Sequence, residues 1–223
     1  MTELDLSAEE LLSTTRAVRK RLDLERPVAS ELISACVELA LQAPSGGNTQ
    51  GWHFVVVYDA ERRAALGKLY AQAWEHYRGA PGSAYDLYRR EPEGPRKHQF
   101  GRVIESAEYL VDNLARVPVH LVACIDGRVD QISGPMASVG LASVYGSILP
   151  AVWSYMLAAR ARGLGTCWTT VHLMREREAA EILGIPYDAV TQVALIPTAH
   201  SLGTEFRAAL RKPVGEVMHV DHW

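Results

Sequence analysis

"LALQAPSGGNTQGWHFVVV", residues 39–57, runs from a helical pattern through small polar residues into an apolar strand. Pro44 closes the helical side, because the residue before a proline avoids helix. The unbroken apolar run after Trp52 reads as a strand covered on both faces. Between the two lie Ser45, Gly46, Gly47, Asn48, Thr49 and Gln50. A connection needs only about two to six residues of any composition. So little bulk with so many hydrogen-bonding groups points to something flat and polar lying close to the backbone.

Upstream, Ser7 and Glu10 form a capping box ahead of Leu11 and Leu12, which predicts a helix running to about Leu22. "RPVASELISACVELALQAP" predicts a second helix with Ser30 as its N-cap. Downstream, "AERRAALGKLYAQAWEHY" predicts an amphipathic helix. Residues 79–99 carry Gly, Pro and charge without a sustained period and read as a surface excursion, a candidate lid. A helix over about 103–116, the strand "VPVHLVACID", a charge-poor helix over about 137–162 and the strand "GTCWTTV" follow. A short helix "REREAAEILG", the strand "AVTQVALIPTA" and a tail from about 202 to 223 complete the chain. Short, regular βαβ alternation is absent. The pattern therefore favours an α+β fold with a central mixed sheet over a doubly wound one. No repeat or low-complexity linker divides residues 1–223, so a single domain is expected.

With 223 residues, 48 % apolar and 22 % charged, the composition is that of an ordinary globular protein. The net charge of −3 is interspersed, and no basic block suggests nucleic acid or a polybasic membrane surface. Cys36, Cys124 and Cys167 are far apart, with no zinc spacing, and read as reduced buried thiols; no metal site is expected. The stretch 131–159 carries no formal charge, but its glycines, prolines and serines favour a buried or subunit-interface helix over a membrane span. The N-terminus lacks an apolar signal region, which predicts a cytoplasmic protein.

No dinucleotide fingerprint, P-loop, GxSxG or HExxH occurs, and the histidines are scattered without a triad. Three clusters carry the chemistry. "TTRAVRKR" places Arg16, Arg19 and Lys20 within one predicted helical turn, a candidate phosphate clamp, since guanidinium forks match phosphate oxygens. The second cluster is the 45–50 loop. The third, "FRAALRKP", gathers Arg207, Arg211 and Lys212. Two separated arginine clusters and an amide-rich loop in a chain without net positive charge point to a phosphorylated cofactor.

Arg-x-Val-Arg, then "APSGGNTQGWHFVVV", then "RGLGTCWTT", then a late basic residue two before a proline resembles the FMN-dependent nitroreductase family over nearly the whole chain. The resemblance implies an intertwined homodimer with a central, mainly antiparallel sheet flanked by helices and two FMN sites at the subunit interface. It implies that Arg16, Ala17, Val18 and Arg19, with Arg211 from the tail, hold the phosphate end. Trp168, Thr169 and Thr170 would run past the flavin ring, offering backbone N–H groups. Pro44, Ser45, Gly46 and Asn48 would contact the flavin held mainly by the other subunit. Two positions depart from the family pattern: Thr15 stands where arginine is common and Ala17 where serine is common. Arg207 or Lys212 stands in for a second tail cation.

The implied activity is reduction of a small aromatic acceptor, nitroaromatic or quinone-type. NADPH or NADH passes hydride to flavin N5, and the acceptor then takes the donor's place. No side chain is needed as catalytic acid or base. Two alternatives remain at this level. One is a flavin-dependent reductive dehalogenase, for which Tyr85, Asp86, Tyr88 and Glu91 supply polar lid groups. The other is a flavin-binding module without turnover.

Overall fold

The computed structural model describes residues 4–223. The sheet has four strands in the order β1-β2-β4-β3: β1 (Trp52–Val57), β2 (Val119–Asp126), β3 (Leu164–Thr166) and β4 (Val190–His200). Every named pairing is antiparallel. The expected mixed character is confined to isolated parallel bridges, Ala17 to Thr166 and Gly127 to Val190. Helices are α1 (Ala8–Thr14), α2 (Ser30–Ala40), α3 (Ala60–Gly79), α4 (Ala84–Arg90), α5 (Pro95–Asn113), α6 (Ala137–Ala161) and α7 (Glu176–Leu183).

The sheet divides the core by its period of two. Leu121, Ala123 and Ile125 of β2 point to α2 and α6. Val122 and Cys124 point to the opposite face, with Leu66 and Tyr70 of α3, Leu110 of α5 and Ala179 of α7. All three cysteines are free and buried.

Several boundaries differ from the sequence reading. The capping box at Ser7 and Glu10 forms, but α1 ends at Thr14 rather than near Leu22. The hydroxyls of Thr14 and Thr15 donate to the carbonyls of Glu10 and Leu11, each at 2.6 Å. Val18 then donates its N–H to Thr166 O at 2.8 Å, and Val18 and Leu22 bury their side chains. Each fully buried aliphatic is worth about 1.5–3 kcal/mol. Helix propensity separates ordinary residues by only about 0.7 kcal/mol or less. Packing therefore decides the path. A Cβ on Gly165 would stand 2.8 Å from Val18 Cγ1, so that glycine permits the approach.

Ala29, not Ser30, is the N-cap of α2. β1 is an edge strand with His53 exposed and Phe54, Val55 and Val56 only partly covered, so its apolar run does not mark a strand covered on both faces. The 79–99 excursion contains α4, and α5 starts at Pro95 instead of about 103, since proline suits the first helical turn. The strand expected over "GTCWTTV" stops at Thr166; Thr169 rejoins β4 through one bridge to Leu195, and a 3-10 turn spans Val171–Arg175.

Candidate functional site

Arg16 leaves the short α1 on extended backbone rather than on a helical face. Its guanidinium is held below its ordinary pKa by partial burial and then by the charge of Arg211. The structure thus places these two cations, from opposite ends of the chain, within electrostatic range of each other. Among the described residues neither forms an ion pair with a carboxylate, and Arg211 donates only to Leu210 O. Two guanidiniums within electrostatic range and without a counter-charge are a donor set that suits a phosphate. Arg19 donates to Ser106 Oγ at 3.2 Å and also faces Cys167, whose pKa is raised by burial and opposed by Arg19. Ala17 is exposed beside them. The Val18 side chain is in the core and its N–H is spent on Thr166, which leaves it no donor for a ligand. Thr15, the departure from the family pattern, is buried, with its hydroxyl closing α1.

The segment 168–170 alternates. Thr169 exchanges both backbone hydrogen bonds with Leu195, at 3.1 and 2.9 Å. Its hydroxyl meets Tyr70 Oη at 2.6 Å, in a buried pair. Thr169 is therefore committed to the body of the protein and offers no N–H. The amides of Trp168 and Thr170, by the strand alternation, face away from β4 and make no hydrogen bond among the described residues. Tyr70 is a residue that sequence reasoning missed. The spacing of Tyr70, Trp74 and Tyr77 marks one side of a helix, but nothing local shows that it meets Thr169. His172, two residues on from Thr170, is fully buried with neither ring nitrogen paired, and burial pushes its pKa down to about 3.

A cavity of about 180 Å³ opens at this segment, against Arg19, Tyr70, Cys167, Trp168, Thr169 and Thr170. It adjoins a larger one of about 630 Å³, since Tyr77, Ala84 and Val103 line both. The larger cavity lies between α4, α5 and the tail, where Arg211 and Lys212 border it. Lys212 thus shares a cavity with Arg211, and Arg207 does not. The polar groups of the 79–99 excursion that a dehalogenase would use are engaged within the chain. Tyr85 donates to Glu108 at 2.6 Å, and Asp86 accepts from the Gly82 amide and pairs with Arg89 and Arg90. Tyr88 lies under Lys97, and Glu91 pairs with Arg96.

The 44–50 loop sits elsewhere. Gly46 donates its N–H to Ser147 Oγ on α6 at 2.9 Å, and a Cβ on Gly46 would stand 2.2 Å from Ser143 Oγ. Part of the loop's smallness therefore serves its own chain's α6. Gly47, Asn48 and Gln50 have φ of 58°, 55° and 51°. Left-handed backbone at Asn48 and Gln50 costs about 1 kcal/mol each or more, the kind of strain that clusters at ligand sites. The Gln50 amide donates to Asn48 Oδ1 at 3.0 Å, which shapes the turn, and both side chains are exposed. Pro44 is exposed too, and Ser45 Oγ accepts the Gln50 N–H.

Neither cavity is lined by any residue of 44–50. The loop feeds β1 at one edge of the sheet, and Thr169 lies beyond β4. Three inter-strand steps of about 4.8 Å put them roughly 14 Å apart. They also lie on opposite faces, the loop against α6 and the cavities against α3 and α5. One chain does not bring the predicted site residues into one place.

Residues 12–198 match the model of the nitroreductase family. The 4-nitrobenzoate reductase of Pseudomonas putida is 30% identical over 173 residues, 71% of this chain and 70% of that protein. The nitrobenzene nitroreductase of Ectopseudomonas oleovorans is 28% identical over 200 residues, 81% of each. Among solved structures, the FMN and NADPH-dependent nitroreductase NfnB of Sphigopyxis sp. strain HMH matches with a TM-score of 0.67 and 24% identity, over 98% of this chain and 100% of that one. Iodotyrosine deiodinase bound to FMN and 3-iodo-L-tyrosine matches with a TM-score of 0.68 and 17% identity, over 96% and 99%. At such identities these two likenesses concern the fold alone.

Proposed function

As this chain belongs to the nitroreductase family, we propose that it is an FMN-dependent NAD(P)H oxidoreductase that reduces nitroaromatic or quinone-type acceptors as a homodimer, with residues 1–223 as its one domain. The observation that carries this reading is the approach of Arg16 and Arg211 to within electrostatic range, without a counter-charge, beside a segment that keeps two free amides at Trp168 and Thr170. These groups fit FMN: guanidiniums for a phosphate at one end, N–H donors for the polar edge of a flat ring at the other.

In this reading Arg16 and Arg211 bind the phosphate, and Arg19 reaches it or orients its neighbours from its seat on Ser106. Trp168 and Thr170 donate backbone N–H groups to the ring. Tyr70 fixes the segment between them through Thr169. Donors aimed in advance at a site of developing negative charge are the protein's main contribution to such chemistry. Bound FMN supplies the redox step, taking hydride from NAD(P)H and passing it to the acceptor in ping-pong order.

The separation of the two half-sites supports a homodimer. Loop 44–48 of a second copy supplies the wall that this chain leaves open. The exposed face of α6 supports it: Val139, Tyr145, Leu149 and Trp153 stand out at helical spacing with Ser143 and Gly146 between them, and no formal charge occurs from 137 to 159. A Cβ on Gly146 would meet nothing within 4 Å, so its smallness serves no contact inside this chain.

The test is a visible absorption spectrum of the FMN-loaded protein, without oxygen, before and after NADPH or NADH. Flavin bands that bleach establish the reductase and name the donor. Bands that persist favour a binding module without turnover, and a protein that FMN cannot reconstitute refutes the reading.

A further inference from the structure

A third cavity, of about 320 Å³, opens where the start of α2, the end of α6 and the chain leaving β4 come together. It shares no lining residue with the two cavities described above. Arg26, Arg162, His200, Ser201 and Thr204 line it, and Leu32 is the one apolar side chain among the lining residues. So polar a wall suits a small hydrophilic ligand, and the volume stands near the lower end of the roughly 300–1,000 Å³ of ligand sites.

The cations at this corner are not matched by acids. Among the described residues Arg26 forms no ion pair. Asp23 Oδ1 accepts the amides of Glu25 and Arg26, each at 3.1 Å, and Glu25 pairs with Arg116. The Arg26 charge reaches His200, whose pKa is lowered by burial first and by Arg26 second, with Asp23 and the Pro27 carbonyl opposing. The Thr204 hydroxyl makes no hydrogen bond among the described residues. Behind this wall lies a buried cation. Arg160 is only 4% exposed, and its Nε and Nη1 find no hydrogen-bond partner. Its guanidinium lies 4.8 Å from the centre of the Phe206 ring, and that of Arg21 lies 4.3 Å from it. Phe206 follows Thr204 by two residues, so the cavity and this pair of cations flank one short segment of chain. A ring face offsets only part of what a buried unpaired charge costs. Glu205, the acid on that segment, is exposed and forms no ion pair among the described residues.

We propose that this cavity binds a small oxyanion, a phosphate or carboxylate group, between the Arg26 fork and the Thr204 hydroxyl, with Arg160 as the charge behind it. A guanidinium with a hydroxyl opposite is a donor set that fits such an anion. None of these groups is used in the flavin reading, so the inference does not rest on it. The place is a junction. Leu22 bridges to Ser201, the Asp23 N–H donates to His200 O at 2.8 Å, and the Leu202 N–H donates to Arg21 O at 2.8 Å. A bound anion braces this junction between the N-terminal segment and the root of the tail.

Calorimetric titration of the FMN-loaded full chain with inorganic phosphate and with succinate, at constant ionic strength, tests the site. With FMN bound, the cations assigned to its phosphate are already occupied. One of the two probes is expected to saturate with one site per chain and to raise the thermal midpoint. Arg26→Gln should weaken it at least tenfold, the loss of one charge-assisted hydrogen bond. Thr204→Glu, which sets a carboxylate at the cavity, should abolish it, and both variants should keep the wild-type far-ultraviolet circular dichroism. Tighter phosphate assigns the site to a phosphate group, and tighter succinate assigns it to a carboxylate. The proposal is overturned if neither probe saturates, or if both variants bind as the wild type does. A flavin-free chain that FMN cannot reconstitute, yet binds the anion in this way, refutes the flavin reading and leaves this site standing.

Discussion

The face of the sheet that carries α3, α5 and α7 engages many of its polar groups inside the chain, whereas the face that carries α2 and α6 leaves an uncharged apolar stripe outside. On the first face Tyr70 meets Thr169, Arg19 meets Ser106, and Glu176 takes both the Arg128 fork and the Gln192 amide. Among the described residues, the groups left without a partner there include the Arg16 guanidinium and the Trp168 and Thr170 amides, which the proposed reading gives to the cofactor, and the buried His172 ring and Trp74 indole N–H. On the second face Trp153 is 40% and Val139 58% exposed, with no charge nearby on the helix. Such a patch marks an interaction surface. In the proposed reading the contrast is between two unlike halves of one site, a cation-and-amide half and a loop half, each needing a different kind of complement.

The largest effect should come from spoiling the second face alone. Gly146→Arg puts an unpaired charge where a second helix is expected to approach. Leaving a charge buried and unpaired costs about 3–5 kcal/mol, or about two to four orders of magnitude in dimer dissociation. Sedimentation velocity should show monomer, and the monomer should hold no FMN although Arg16 and Arg211 are intact. A variant that stays dimeric, or a monomer that keeps its flavin, breaks the division into half-sites.

Spoiling the first face should do less and leave the dimer whole. Arg16→Ala removes one charge-assisted contact, worth about 1.5–3 kcal/mol, so FMN should dissociate about 10- to 100-fold more readily. Fluorescence titration reads the loss, and unchanged affinity would place the phosphate away from the Arg16–Arg211 pair. The smallest effect concerns Gly46. An alanine Cβ there would crowd Ser143 Oγ, and crowding of this kind costs about 1–2 kcal/mol in urea unfolding. Ser143→Ala should restore most of it. A cost that Ser143→Ala leaves in place would mean that the glycine answers to something other than α6.

Much of the fold was legible for local reasons. The capping box at Ser7 formed because its groups lie within one turn, and β2, α6, α7 and β4 lie close to where their apolar patterns place them. The misread elements share a cause. Arg16 to Leu22 has an acceptable helical pattern but gains more by laying Val18 and Leu22 against Gly165. β1 has the composition of a central strand, yet it is an edge, since a strand's position in the sheet depends on pairings far along the chain. The arginines were visible as clusters, but the spacing of Arg16 and Arg19 on a helical turn was wrong, and their neighbourhood with Arg211 and Cys167 could be seen only after folding.

The sequence by itself determined which chemistries were available: guanidiniums in two clusters, a small amide-rich loop, a long charge-poor helix, and no acid–base constellation. It did so because residue type sets charge, bulk and hydrogen-bonding capacity wherever the residue lies. Only the tertiary structure decided that Arg16 comes within electrostatic range of Arg211, that Thr169 is spent on Leu195 and Tyr70 while the Trp168 and Thr170 amides find no partner among the described residues, and that loop 44–50 lies on the other face of the sheet. Those are distances between groups remote in sequence. They are set by the sum of many packing choices, each worth more than the local preferences that a short stretch of residues reveals.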